Sequence, residues 1–195
     1  MALDQSAAAF AIAAEYRLPR FILHTIVIRG WAQALRGEAE SGVLEMRRGI
    51  AEYEASGMRA PAFMRVPLAE TYLRTGQLEE ARSLLTSTLE TVRQTDHRMH
   101  EAELYRLKGD LFRQSSNSTK AQACFRRAIE IAKAQSAKWW ELRATMSLAR
   151  LLAEQDRRDD AHAVLAKIYS WFTEGFETAD LKDAKALLNE LSSSR

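Results

Sequence analysis

The chain has 195 residues, enough for one domain with a sizeable core. Its 28 basic and 26 acidic residues leave a net charge of +2, which argues against the strong basic excess of a dedicated nucleic-acid surface. One cysteine excludes an internal disulfide, and no apolar run reaches the roughly 18 residues of a membrane-crossing helix. Asp4 precedes every basic residue, unlike the order of a secretion signal, so the sequence predicts a cytoplasmic protein with no membrane segment.

Helix formers dominate, and only three prolines and eight glycines interrupt them, so an all-α fold is expected. In chain order the pattern predicts helices over 4–16, 20–36, 39–56, 61–74, 78–94, 99–114, 118–135, 139–155, 158–172 and 178–191. Pro61 suits a first helical turn, whereas Pro67 should kink the fourth helix or delay its start. The first helix reads as the unpaired second half of an earlier repeat, or as a cap. The last reads as the opposite cap, with Ser192 to Arg195 a frayed tail. No linker is long enough to divide the chain, so a single domain over 1–195 is expected.

The helices recur in a register. Small residues at Gly30, Ala69, Gly109 and Ala149 are spaced by 39, 40 and 40 residues. Twelve positions after each comes another small residue: Gly42, Ala81, Ala121 and Ala161. Four further on stand Met46, Leu85, Phe125 and Leu165, and four beyond those Ile50, Leu89, Ile129 and Tyr169. Turns fall between the small residues, at Gly37, Gly76, Ser115 to Asn117 and Asp156. Each unit is thus a helix, a tight turn and a second helix with one apolar face, which can be buried only by stacking on its neighbours.

This spacing resembles the tetratricopeptide repeat, most clearly in LAETYLRTGQLEEARSLL and TKAQACFRRAIEIA. The resemblance covers roughly residues 20 to 172 and implies a right-handed α-solenoid. Its repeats would span about 20–57, 59–97, 99–137 and 139–176, with a capping helix over about 178–191. The units are about 40 residues long rather than the usual 34, similar to the repeats of large bacterial signalling ATPases. Further on, AELYRLKGDLF, ELRATMSLARLLAEQ and above all WFTEGFETADL resemble the C-terminal part of bacterial adenylate/guanylate cyclase–ATPase fusion proteins and related regulators. That resemblance implies that this chain is the repeat region of such a protein, with the chemistry in other domains.

No motif for chemistry is present. GxxxxGK[ST], GxGxxG, CxxC and HExxH are all missing, so no catalytic residue, metal site or cofactor is predicted. His97 and His100 are either a two-ligand metal pair or solvated loop histidines. Cys124 is either a nucleophile or a packed thiol. Acidic pairs such as Glu79 with Glu80 and Asp159 with Asp160 suit helix starts. Trp139 and Trp140 point to different sides, so either both pack between repeats or one enters the core and the other stays near the surface for a partner contact. Trp171, Phe172 and Phe176 read as the seal beneath the last helix.

The family resemblance implies that first helices line a concave face where peptides bind. Helix geometry then selects positions one and four after each small residue, and three and six before it. These include His24, Trp31, Phe63, Val66 and Glu70 in an apolar half, and Glu103, Arg106, Asp110, Arg113, Arg143, Met146 and Arg150 in an arginine-rich half. Arginine forks suit carboxylates or phosphates. The same charges could instead neutralise one another at helical spacing. The expected function is a non-catalytic scaffold that docks a protein or peptide segment, upstream domains of the same polypeptide included. A small-ligand effector sensor, motivated by Trp31 and Phe63, is the alternative. An exposed apolar end of the stack would also suit a homodimer.

Overall fold

The structure is a computed structural model in which residues 2–193 are described, with side chains described from Gln5 onward. Among the described residues there are ten α-helices and no strand. They are α1 (Ala2–Glu15), α2 (Pro19–Leu35), α3 (Ala39–Ala55), α4 (Ala62–Arg74), α5 (Leu78–Thr95), α6 (Glu101–Gln114), α7 (Ser118–Ala134), α8 (Lys138–Glu154), α9 (Arg158–Tyr169) and α10 (Ala179–Ser192). The expected tail is helical as far as Ser192, and residues 194–195 lie outside the described part.

The turns inside each helix pair are three residues long, and their middle residue is left-handed in all four: Gly37 (φ 98°), Gly76 (φ 75°), Ser116 (φ 55°) and Asp156 (φ 61°). A left-handed residue after the last helical turn lets the chain reverse while its amides satisfy the final carbonyls, as when Glu38 N donates to Gln33 O at 3.1 Å. Pro61 precedes α4 in extended backbone instead of sitting in its first turn. Pro67 does not delay that helix, which begins at Ala62 and runs through it. The C-terminal end of α9 departs furthest from expectation, stopping at Tyr169. The irregular segment that follows delivers Phe172 to the core and turns at Gly175 (φ 78°) into α10.

The helices group into two compact units, residues 1–95 and 96–195. In the first, α1 packs on α2, α2 on α3, α4 on both α2 and α3, and α5 on α4. The α2–α3 crossing is backbone-close, since a Cβ built on Gly30 would lie 2.6 Å from the Gly42 carbonyl oxygen. Met46, Met64, Leu85 and Val27 fill this unit's interior.

In the second unit, α6 packs on α7 and α8, α8 on α7 and α9, and α10 on α8 and α9. The small residue of α6 is used differently from Gly30 of α2. Gly109 admits not a neighbouring backbone but the ring of Phe125, which occupies the space of its missing side chain. One continuous core then runs from Phe125 and Leu142 through Leu151 and Leu165 to Leu181 and Leu187 of α10. Leu181, Ala184, Leu187 and Leu191 form the buried stripe of α10 and its remaining surface is mostly charged or polar, as a capping helix requires.

Candidate functional site

The selected row of first-helix positions is only partly open. The residues three before each small residue, Val27, Val66, Arg106 and Met146, are all buried, as is Glu103. Val66, Glu103, Arg106 and Met146 were expected on an exposed face. That expectation fails because first helices also pack on one another, α2 on α4 and α6 on α8, which covers a wider arc than pairing with one second helix would. His24, Trp31, Glu70, Asp110, Arg113 and Arg143 are half-buried, while Phe63 and Arg150 are exposed.

In residues 1–95, His24 sits at the centre of an aromatic cluster. Its ring meets Phe63 edge-on at 4.7 Å, stacks on Tyr53 at 5.8 Å and meets Phe21 edge-on at 5.7 Å. Burial pushes its pKa below the ordinary histidine value, which favours the neutral imidazole. Its Nε2 and the Nε1 of Trp31 are both buried without a hydrogen-bond partner.

In residues 96–195 the selected charges form one connected network. Arg106 holds Glu103 with two parallel bonds, Nε to Oε2 at 2.9 Å and Nη2 to Oε1 at 2.6 Å, and reaches Asp110 through Nη1 at 2.6 Å. Arg143 from α8 adds a 3.2 Å contact to Glu103, and Arg113 bonds Glu154 of α8 at 2.8 Å. Burial raises the pKa of Glu103, but the charge and hydrogen bonds of Arg106, with Arg143 and His100, prevail and hold it below the carboxylate range. At Asp110 burial prevails over Arg106, Arg113 and Arg150, so its pKa is raised. Met146 is not part of this network but packs in the apolar core. Arg150 makes no hydrogen bond or ion pair with the described residues, and its guanidinium is open to solvent.

Glu154 and Tyr53 were not expected on these faces, and Trp140, already a candidate, has partners that were not foreseen. Trp140 lies under the Arg143 guanidinium at 5.7 Å and beside the His100 ring at 5.9 Å. Its spacing of three from Arg143 was the available signal. Glu154 follows Arg113 by 41 residues, one repeat length and one more, so the repeat period itself pointed to the pair. Tyr53 comes from a second helix, which the choice of first-helix positions left out.

His97 is exposed, His100 is half-buried with a lowered pKa, and no group of metal-binding side chains occurs among the described residues. Cys124 is half-buried, and burial raises its pKa, the opposite of an activated nucleophile. Of the expected aromatic seal only Phe172 is buried. Trp171 and Phe176 stay exposed because the segment carrying them is irregular rather than helical. Trp139 is exposed and Trp140 half-buried, so neither is fully internal.

Two tetratricopeptide-repeat models match the sequence, over residues 62–134 and 142–167. A search of the curated proteins finds no match. Among solved structures, the fold is similar to that of BtubC (BKLC) from P. vanneervenii, with a TM-score of 0.75 at 14% identity over 97% of this chain and 81% of that one. It is also similar to a putative kinesin light chain of Podosopora anserina with nearly identical TPR-like repeats, with a TM-score of 0.65 at 16% identity over 89% and 86% of the two chains. At such identities the likeness concerns the fold alone. No helix of the described residues is long and apolar enough to cross a membrane. By two family models and by its all-helical, solenoid-class fold, the chain carries tetratricopeptide repeats.

Proposed function

We propose that this chain is a protein-interaction module, read as one domain over 1–195, whose first-helix face on α6 and α8 docks an acidic segment of a partner protein. Tetratricopeptide repeats generally mediate protein–protein interaction and are typically non-catalytic scaffolds. The observation that carries the specific reading is the arrangement of Arg150 beside a satisfied network. Arg106 and Arg113 are engaged with Glu103, Asp110 and Glu154, which fixes the surface, while Arg150 presents an exposed guanidinium suited to a carboxylate. The Trp140 ring beneath Arg143 adds an amphipathic surface for the rest of a peptide.

A fluorescein-labelled ten-residue peptide alternating Glu and Ala, set against its Lys counterpart, tests this by fluorescence polarisation. Saturable binding of the acidic peptide that is lost in Arg150→Glu supports the reading. Equal binding by wild type and variant removes this face.

From the resemblance of WFTEGFETADL we further propose that the module belongs to a larger bacterial signalling ATPase or cyclase, docking that protein's own upstream domains or a separate partner. The parent reading frame decides this, and a frame without a nucleotide-binding domain overturns it. A second reading, an effector sensor, is favoured by the buried, unpartnered Nε2 of His24 and Nε1 of Trp31. A saturable metabolite hit that shifts both thermal stability and tryptophan fluorescence supports it, and His24→Phe should abolish the response.

A further inference from the structure

A second groove lies on other helices of residues 96–195. The helices α7 and α9, second helices of successive repeats, each pack on α8, which floors the gap between them. The gap holds a cavity of about 490 Å³. Its open apolar surface comes from Ile129 of α7 and Val164 of α9, over a floor of Leu148, Leu152 and Ile168 that belongs to the buried core.

The rim carries an uneven charge. Three acids line it, and each is already paired: Glu130 with Arg127 at 3.2 Å, Glu141 with Lys138 at 2.8 Å and Asp160 with Arg157 at 2.6 Å. The cations are less compensated. Arg126 on α7 and Lys167 on α9 make no ion pair with the described residues, and Lys133 comes no closer than 3.9 Å to Glu141. An apolar trough therefore runs between two walls with surplus positive charge.

This is not a general property of the fold. In residues 1–95 a groove between α3 and α5 near the start of α4 is lined by Glu54, Arg65, Ser87, Glu90 and Thr91, with Met58 its only sizeable apolar side chain. There two acids, Glu54 and Glu90, face two cations, Arg65 bonded to Glu54 and Arg59 donating to Gln94 at 2.6 Å, so polar groups line the trough and leave no surplus of positive charge.

We infer that the α7–α9 groove docks an acidic amphipathic helix of a partner protein. The choice of a helix follows from the walls. The stripe along α9, from Arg157 at its N-cap to Ile168, is about 16 Å long or three turns at 1.5 Å per residue, and a third helix seats its side-chain ridge between two helical walls. Apolar residues at i, i+3 or i+4 and i+7 fill the floor, and carboxylates on either flank meet Arg126 and Lys167. The inference is independent of the first-helix face, which shares none of these residues.

The probe is a fluorescein-labelled 18-residue helical peptide with leucines on one stripe and glutamates flanking it. Its twin carries lysines in place of the glutamates. Fluorescence polarisation on the full chain should show saturable binding of the acidic peptide alone, weakened by added salt. Arg126→Glu with Lys167→Glu should weaken it about tenfold or more, as should Val164→Glu. Circular dichroism checks that each variant is folded; should Val164→Glu unfold, the charge pair on exposed side chains carries the test. Absence of saturable binding overturns the inference. So do equal binding of the two peptides, indifference to the charge reversals, or a preference for phosphatidylserine vesicles over the peptide.

Discussion

The two units solve the same packing problem by opposite means. Residues 1–95 bring α2 and α3 together glycine against glycine and fill their first-helix face with rings around a histidine whose neutral form burial favours. Residues 96–195 set a phenyl ring into the space beside Gly109 and place a buried ion network on the corresponding face. The repeat register fixes where a helix must be thin and where a face must be covered, and leaves the chemistry of each position free. A face of rings offers area, whereas a face of paired charges offers direction, which is why the acidic-segment reading rests on the second unit.

The comparison can be broken most forcefully at Arg106. Arg106→Leu leaves Glu103 buried without its bidentate partner and should cost ~3–5 kcal/mol in denaturant unfolding. Replacing both partners, Glu103→Leu with Arg106→Met, should cost clearly less than the single change. A double variant as unstable as the single would mean that packing, rather than charge, holds this face together. At the glycine crossing, Gly30→Ala drives a methyl into the Gly42 carbonyl and should cost ~1–3 kcal/mol. An unchanged midpoint would show that α2 and α3 separate without penalty.

A subtler test uses acid. His24 titrates lower in the folded chain than its ordinary value of 6.5, so below that pH the unfolded chain binds more protons. Its contribution is complete above pH 6.5 and is lost as pH falls through that value toward the folded one. His24→Phe should flatten this part of the stability curve, and His100, shifted in the same direction, should keep the remainder. A variant curve parallel to wild type would remove His24 from the account. The smallest effect is expected at Arg150, where Arg150→Glu should leave stability within ~0.5 kcal/mol because the side chain is exposed and makes no ion pair. A larger loss would show that it supports the network rather than standing ready for a partner.

Much of the fold was legible because its signals are local. Turn residues such as Gly37 and Gly76, and stripes such as Ala81, Leu85 and Leu89, report on their own helices, and every helix end fell within three residues of its expected place. The end of α9 was not legible, since Trp171 and Phe176 continue an apolar pattern while the backbone has left the helix. The faces were legible in composition but not in exposure. Whether Arg106 is open or covered depends on the neighbouring first helix, and Glu154 matters only once α8 is laid beside α6. Short-range periodicity carries no such information.

The bond from Arg113 to Glu154 joins helices one repeat apart. Under the proposed docking of an acidic segment, Glu154 would act as a resident decoy. An incoming carboxylate that engages Arg113 must evict it, so the gain is only the difference between two near-equivalent bonds, and the freed glutamate stays close by to reclaim its place. On the proposed reading, such competition would speed release and make occupancy depend on how many contacts a partner makes at once, so that the surface would weigh the number of simultaneous grips above any single strong one.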